Sequence, residues 1–164
     1  MKKSNKAKKK SNEIKKLLKI ESVPKNISEA LERNKEFLLE ALSEAGAVSA
    51  EIEYNGSGDS GQVESVIVLD KKGSALKLAS NTVKIYSVSS TFEGKGWENK
   101  FVLEEKKLGD ALSSLAELLL DYNHIDWYNN DGGFGKVVVD LKEGSIKLQH
   151  NQRIMTDEYS EFDF

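Results

Sequence analysis

Most of the side chains in this sequence that could do chemistry sit in or near two short glycine-rich stretches. The first, Gly56-Ser57-Gly58-Asp59-Ser60-Gly61, has the GxGxxG spacing that lets a strand-to-helix turn cradle a pyrophosphate. That chemistry needs a helix directly after the turn, because free N–H groups at a helix N-terminus hold the phosphate. Only the eight residues Gln62 to Leu69 precede the next turn signal, Asp70-Lys71-Lys72-Gly73, too few for a crossover helix. Asn81 also stands near the place where the fingerprint has an acid. The second stretch gathers Asp126, Asn129, Asn130 and Asp131 ahead of Gly132-Gly133, a set of hard oxygen donors that suits calcium. With Gly132 at the sixth place of an EF-hand loop, Trp127 falls at the first and Val138 at the twelfth, so the EF-hand is excluded. An irregular cation site remains open.

The segment Gly58-Asp59-Ser60-Gly61 resembles the nucleophile segment of trypsin-like serine proteases over four residues. In that family the triad His and Asp precede the Ser, whereas His124 and His150 both follow Ser60. A Ser60–His150–Asp131 constellation can be written down, but nothing in the sequence positions it. The simpler expectation is a tight turn in which Asp59 and Ser60 bond loop N–H groups. His150 continues the alternation Ile146, Leu148, His150, which points its ring at the core edge as a hydrogen-bonded packing residue. His124 follows Asn123 at a helix end, where the helix dipole accounts for it. With no cysteine and two histidines, thiolate and His-rich metal chemistry is excluded. No catalytic residue, metal or cofactor is therefore expected. The candidate binding residues are Asp59, Ser60, Asp126, Asn129, Asn130, Asp131, His150 and Arg153.

Charge divides the chain. Residues 1–20 hold nine lysines (Lys2, Lys3, Lys6, Lys8, Lys9, Lys10, Lys15, Lys16 and Lys19) against Glu13 alone, a net of +8. The remaining 144 residues hold 15 basic and 26 acidic side chains, a net of −11. Such an arm supplies salt-dependent, sequence-blind affinity for nucleic acid. It has no arginine for bidentate contacts and no aromatic for base stacking. An acidic protein partner or a solvated leader explains it as well. No apolar run approaches the ~20 residues of a membrane span, so no membrane partner is expected.

These residues need elements to hold them. Residues 1–25 read as a flexible basic arm, with Ile14, Leu17 and Leu18 at helical spacing over 11–20; residues 26–164 read as one globular domain. Asn26 with Glu29 resembles a capping box. Ile27, Leu31, Leu38, Leu42 and Ala45 then recur at helical spacing up to Gly46, predicting a helix over 28–45. Val48, Ala50, Ile52 and Tyr54 alternate with polar residues as in a half-buried strand, and Val63–Leu69 reads as another. A further strand is expected at Val83 and Ile85, then a polar loop over 91–99 and a short apolar stretch at 101–103. Leu108, Leu112, Leu115, Leu119 and Tyr122 mark a second helix. Strands are expected at 124–127, 136–141 and 145–150, with Glu143-Gly144 as a hairpin turn. Tyr54 and Trp127 are expected to pack beneath the two glycine-rich stretches.

The order helix, strand, glycine stretch, strand occurs over 28–69 and again over 107–141, so a duplicated helix–hairpin unit stays open beside chance similarity. The blocks Tyr54-Asn55-Gly56-Ser57-Gly58-Asp59-Ser60-Gly61-Gln62-Val63-Glu64, Trp127-Tyr128-Asn129-Asn130-Asp131-Gly132-Gly133-Phe134-Gly135 and His150-Asn151-Gln152-Arg153 together resemble a bacterial domain family of unknown function. Its members look like small stand-alone accessory or mobile-element proteins. The resemblance implies that 28–164 form one compact domain, and it supplies no catalytic residue.

The fold expected is a single α+β domain, an antiparallel sheet with two main helices packed on one side. The function expected is a non-enzymatic, cytoplasmic binding or regulatory protein acting through contacts with another protein. Two alternatives stand beside it: a nucleic-acid-associated accessory protein using residues 1–20, and a small hydrolase or metal-dependent enzyme built on the Asp59 and Asp131 stretches.

Overall fold

The computed structural model describes residues 22–78 and 80–163. The lysine arm and the helical turns expected over 11–20 lie outside the described residues. Helix α1, Ile27–Glu44, begins where the Asn26 side chain accepts the Glu29 N–H at 2.9 Å. The Glu29 carboxylate in turn accepts the Lys25 N–H at 3.0 Å. The chain then runs β1 Ala47–Asp70, β2 Thr82–Phe92, β3 Trp97–Lys107, α2 Leu108–Tyr122, β4 Asn129–Asp140 and β5 Ser145–Gln152. The domain is α+β, and its antiparallel strands divide between two open sheets, β1-β4-β5 and β2-β3.

Both helices cover the apolar side of these sheets. Leu38 and Leu42 of α1, with Leu108, Ala111, Leu112, Leu115 and Ala116 of α2, meet Ala50, Ile52, Val68, Val83, Ile85, Val137 and Val139 in one core. The period-2 alternation of β1 and β4 decides which strand residues enter it. Enclosing each large aliphatic side chain contributes about 1.5–3 kcal/mol. A second link is polar. Asn34 of α1 is 1% exposed and donates to the Tyr86 carbonyl at 2.8 Å while accepting the Tyr86 N–H at 2.7 Å. Its amide thus completes the hydrogen bonding of β2 as a neighbouring strand would.

The extended run β1 is not straight. At ~3.3 Å per residue, positions twelve apart in one strand lie about 40 Å apart. Ser65 Oγ nevertheless donates to Glu53 Oε2 at 3.0 Å, so the run folds back on itself. The bend lies near Gly58, where φ is +71° and the register against β4 shifts.

Three local expectations change. Extended pairing runs through the glycine stretch instead of opening into a loop, with Gly56 opposite Gly133 and Gly58 opposite Asn130. The loop expected at 91–99 is the end of the β2–β3 ribbon, closed by Phe92 opposite Trp97. Cross-strand pairs, not apolar alternation, hold this exposed ribbon together. The strand expected at 124–127 is a helix-ending turn. His124 takes φ +54°, and the Asn123, His124 and Ile125 N–H groups bond the Leu119, Asp121 and Leu120 carbonyls.

The suggested internal repeat is partly visible. Asp70 Oδ1 caps the Lys72 and Ser74 N–H groups, and Asp140 Oδ1 caps those of Lys142 and Glu143. Its first block diverges, because Ile52–Tyr54 is strand and Ile125–Trp127 is not. Among the described residues no helix is long and apolar enough to cross a membrane.

Candidate functional site

The glycines of β4 make room for side chains that reach across it from both neighbours. Tyr54 on β1, Gly135 on β4 and His150 on β5 form one cross-strand row. A Cβ at Gly135 would lie 2.0 Å from the Gln149 carbonyl oxygen and 2.6 Å from the Tyr54 hydroxyl. With no Cβ there, the Tyr54 hydroxyl donates to Gln149 O at 3.1 Å and stands 2.9 Å from His150 Nδ1. The two rings stack at 6.1 Å and 6°. His150 Nε2 meets Gln152 Oε1 at 3.1 Å, and the Gln152 amide donates to Gly132 O at 2.8 Å. Burial pushes the Tyr54 hydroxyl up to about 12, keeping it a neutral donor.

Trp127 sets its edge against Tyr54 at 5.5 Å and lies under both arms of the β1 bend. A Cβ on Gly61 would come within 2.4 Å of the Trp127 ring, and one on Gly56 within 2.6 Å of its carbonyl oxygen. These two glycines are therefore needed for the close approach of an indole and a backbone.

The candidate residues named from the sequence spread along this sheet instead of converging. Asp59 and Ser60 are exposed at the bend, with Asp59 opposite Asn129. His150 is opposite Gly135, six positions along β4 from Asn129, which is about 20 Å of strand. The Asp59–Asp131–His150 grouping is thus not assembled. Asp126 Oδ1 accepts from Asn129 Nδ2 at 2.6 Å, Asn130 takes φ +54°, and Asp131 Oδ2 accepts the Met155 N–H at 3.1 Å. These contacts tie local backbone. Among the described residues no three acidic or histidine side chains gather where they could hold a metal ion.

The opposite face of the sheet carries a groove that sequence reasoning missed. Two cross-strand rows floor it, Asn55–Phe134–Asn151 and Glu53–Lys136–Gln149. It encloses about 490 Å³ and is rimmed by Glu64 and Arg153. Phe134 is 45% exposed at its centre. Arg153, a candidate from the sequence, is fixed beside it. Its Nη1 donates to Gly56 O and its Nη2 to Asn55 Oδ1, both at 2.7 Å, and Cζ stands 5.0 Å from the Phe134 ring centre. Lys136 is held on Glu51 at 2.8 Å. The groove is acidic toward Glu53 and Glu64 and cationic toward Arg153. The available signal was one aromatic, Phe134, in phase with the polar positions of a period-2 strand.

Residues 30–164 match a family of unknown function, DUF6878, and the chain belongs to that family. No curated protein and no solved structure matches it.

Proposed function

For this member of a family that brings no activity with it, we propose a non-enzymatic binding role exercised through contacts with another protein. The docking site is the groove on the outer face of β1-β4-β5, and its ligand is an extended protein segment. The observation that carries this reading is Phe134, half-exposed in the middle of a polar sheet face. A solvated sheet gains nothing from an aromatic there, whereas an incoming apolar side chain does. The acids Glu53 and Glu64 at one end suit a basic side chain of the partner. The amides of Gln149 and Asn151 can pair with its backbone.

The test is capture of partners by the full chain and by Phe134→Ser and Glu64→Lys, followed by hydrogen-exchange footprinting of the recovered complex. A partner bound by the parent chain should be lost from both variants, whose unfolding midpoints stay unchanged. Protection should map to 53–55, 134–136 and 149–151. Undiminished capture, or protection confined to other strands, would refute the groove as the docking site.

A further inference from the structure

The β2–β3 ribbon ends in an aromatic pair that the rest of the molecule does not use. Phe92 and Trp97 form the last cross-strand rung, 63% and 74% exposed, edge to face at 5.7 Å. Behind them lies a polar rung, Ser90 bonded to Asn99 at 2.7 Å, which separates the rings from the core. Lys100 holds Glu93 at 2.8 Å and Glu98 at 3.0 Å. With Lys95, the tip therefore carries no net charge.

The lysine arm joins the body on this same ribbon. Ser22, the first described residue, has its carbonyl bonded by Arg33 Nη1 and by the Tyr86 hydroxyl at 3.4 Å. Tyr86 lies on β2, six residues from Phe92, or about 20 Å along the strand. A segment of net +8 and a pair of exposed rings therefore belong to one side of an otherwise acidic protein.

We propose that arm and tip together dock the protein on the surface of an anionic lipid bilayer, lysines at the headgroups and the Phe92 and Trp97 rings in the interface. Lysine is a compact, hydrated point charge, suited to a diffuse anionic surface and less to bidentate reading of a phosphate. The arm intersperses Ile14, Leu17, Leu18 and Ile20 among its lysines, a composition that reads as membrane-surface binding. Trp is the residue enriched at the membrane–water boundary. One weak signal binds a bilayer only marginally, and two hold it stably. The expectation of no membrane partner rested on the lack of a spanning segment, which peripheral docking does not need.

Tryptophan fluorescence and vesicle sedimentation of the full chain test this. The described residues include two tryptophans, and Trp127 is already buried at 6% exposure, so a change on binding reports Trp97. Vesicles of phosphatidylcholine alone are compared with vesicles containing about one-third phosphatidylserine, at physiological salt. The expected result is sedimentation with the anionic vesicles only, with a blue shift and loss of aqueous quenching. Trp97→Ser should abolish the shift and weaken sedimentation about tenfold, the low end for withdrawing an aromatic side chain from an apolar phase. Changing Lys8, Lys9, Lys10, Lys15 and Lys16 to Gln should remove sedimentation, since each lysine near an anionic surface is worth about fivefold. The proposal is overturned by no sedimentation with anionic vesicles or by sedimentation without a Trp97 response. It is equally overturned if a single-stranded oligonucleotide, and not the vesicles, shifts the emission.

Discussion

Replacing Gly135 by alanine tests how the sheet is built around its middle strand. The new Cβ would lie 2.0 Å from the backbone oxygen of Gln149 and 2.6 Å from the Tyr54 hydroxyl. A backbone oxygen in a paired strand cannot rotate away, so β5 must move or the Tyr54 contact must break. Overpacking of this kind costs about 1–3 kcal/mol, and losing the part-buried Tyr54–Gln149 bond adds about 1 kcal/mol. The smaller conformational freedom of alanine in the unfolded chain returns about 0.5 kcal/mol. The expected net loss is about 2–3 kcal/mol. Gly133→Ala provides the control. Its nearest obstacle is His150 Cε1 at 2.4 Å, the far end of a side chain that can swing aside, so about 1 kcal/mol is expected. Urea unfolding followed by far-ultraviolet circular dichroism measures both, with the slope m unchanged. A loss below about 0.5 kcal/mol for Gly135→Ala, or a larger loss for Gly133→Ala, would refute the argument.

Other outcomes follow from the same geometry. Asn34→Leu leaves the Tyr86 N–H and carbonyl without their partners at a buried position; the expected loss is about 3 kcal/mol, seen as a fall in Tm of roughly 10 °C. Tyr54 has its folded pKa raised from 10.0 to about 12 by burial. Its contribution is therefore complete below pH 10 and is lost as pH rises through 12. Tyr54→Phe should flatten the stability profile in that alkaline window, where the part-buried hydroxyl limits the effect to at most about 2 kcal/mol. Phe134→Ser removes a half-exposed ring with no place in the core, so its unfolding midpoint should stay within about 0.5 kcal/mol of the parent.

Much of this fold is written in short-range pattern. The capping pair Asn26 and Glu29 and the apolar spacing from Ile27 to Leu42 place α1 within a residue of its observed start. The alternation from Val48 to Tyr54 assigns Ala50 and Ile52 to the core. These features depend on neighbours three or four positions away along a helix, or two along a strand, so local physics suffices. The ribbon at 91–99 escaped because its stabilising contacts, Phe92 with Trp97 and Lys100 with two carboxylates, leave no apolar alternation. At 124–127 the run His124-Ile125-Asp126-Trp127 mimics a strand, yet the end of α2 already claims its N–H groups.

The site was harder to foresee. Composition alone established the basic arm, the acidic body, and the lack of any thiol; the two glycine stretches marked where backbones come close. Which backbones meet was decided by the pairing of β1 with β4 and of β4 with β5, across 80 or more residues of sequence. That register places Tyr54 and His150 on either side of Gly135, turns Asp59 away from His150, and lines Asn55, Phe134 and Asn151 across the outer face. Such contacts arise from long-range register, and a shift of one residue would carry every one of these side chains to the other side of the sheet.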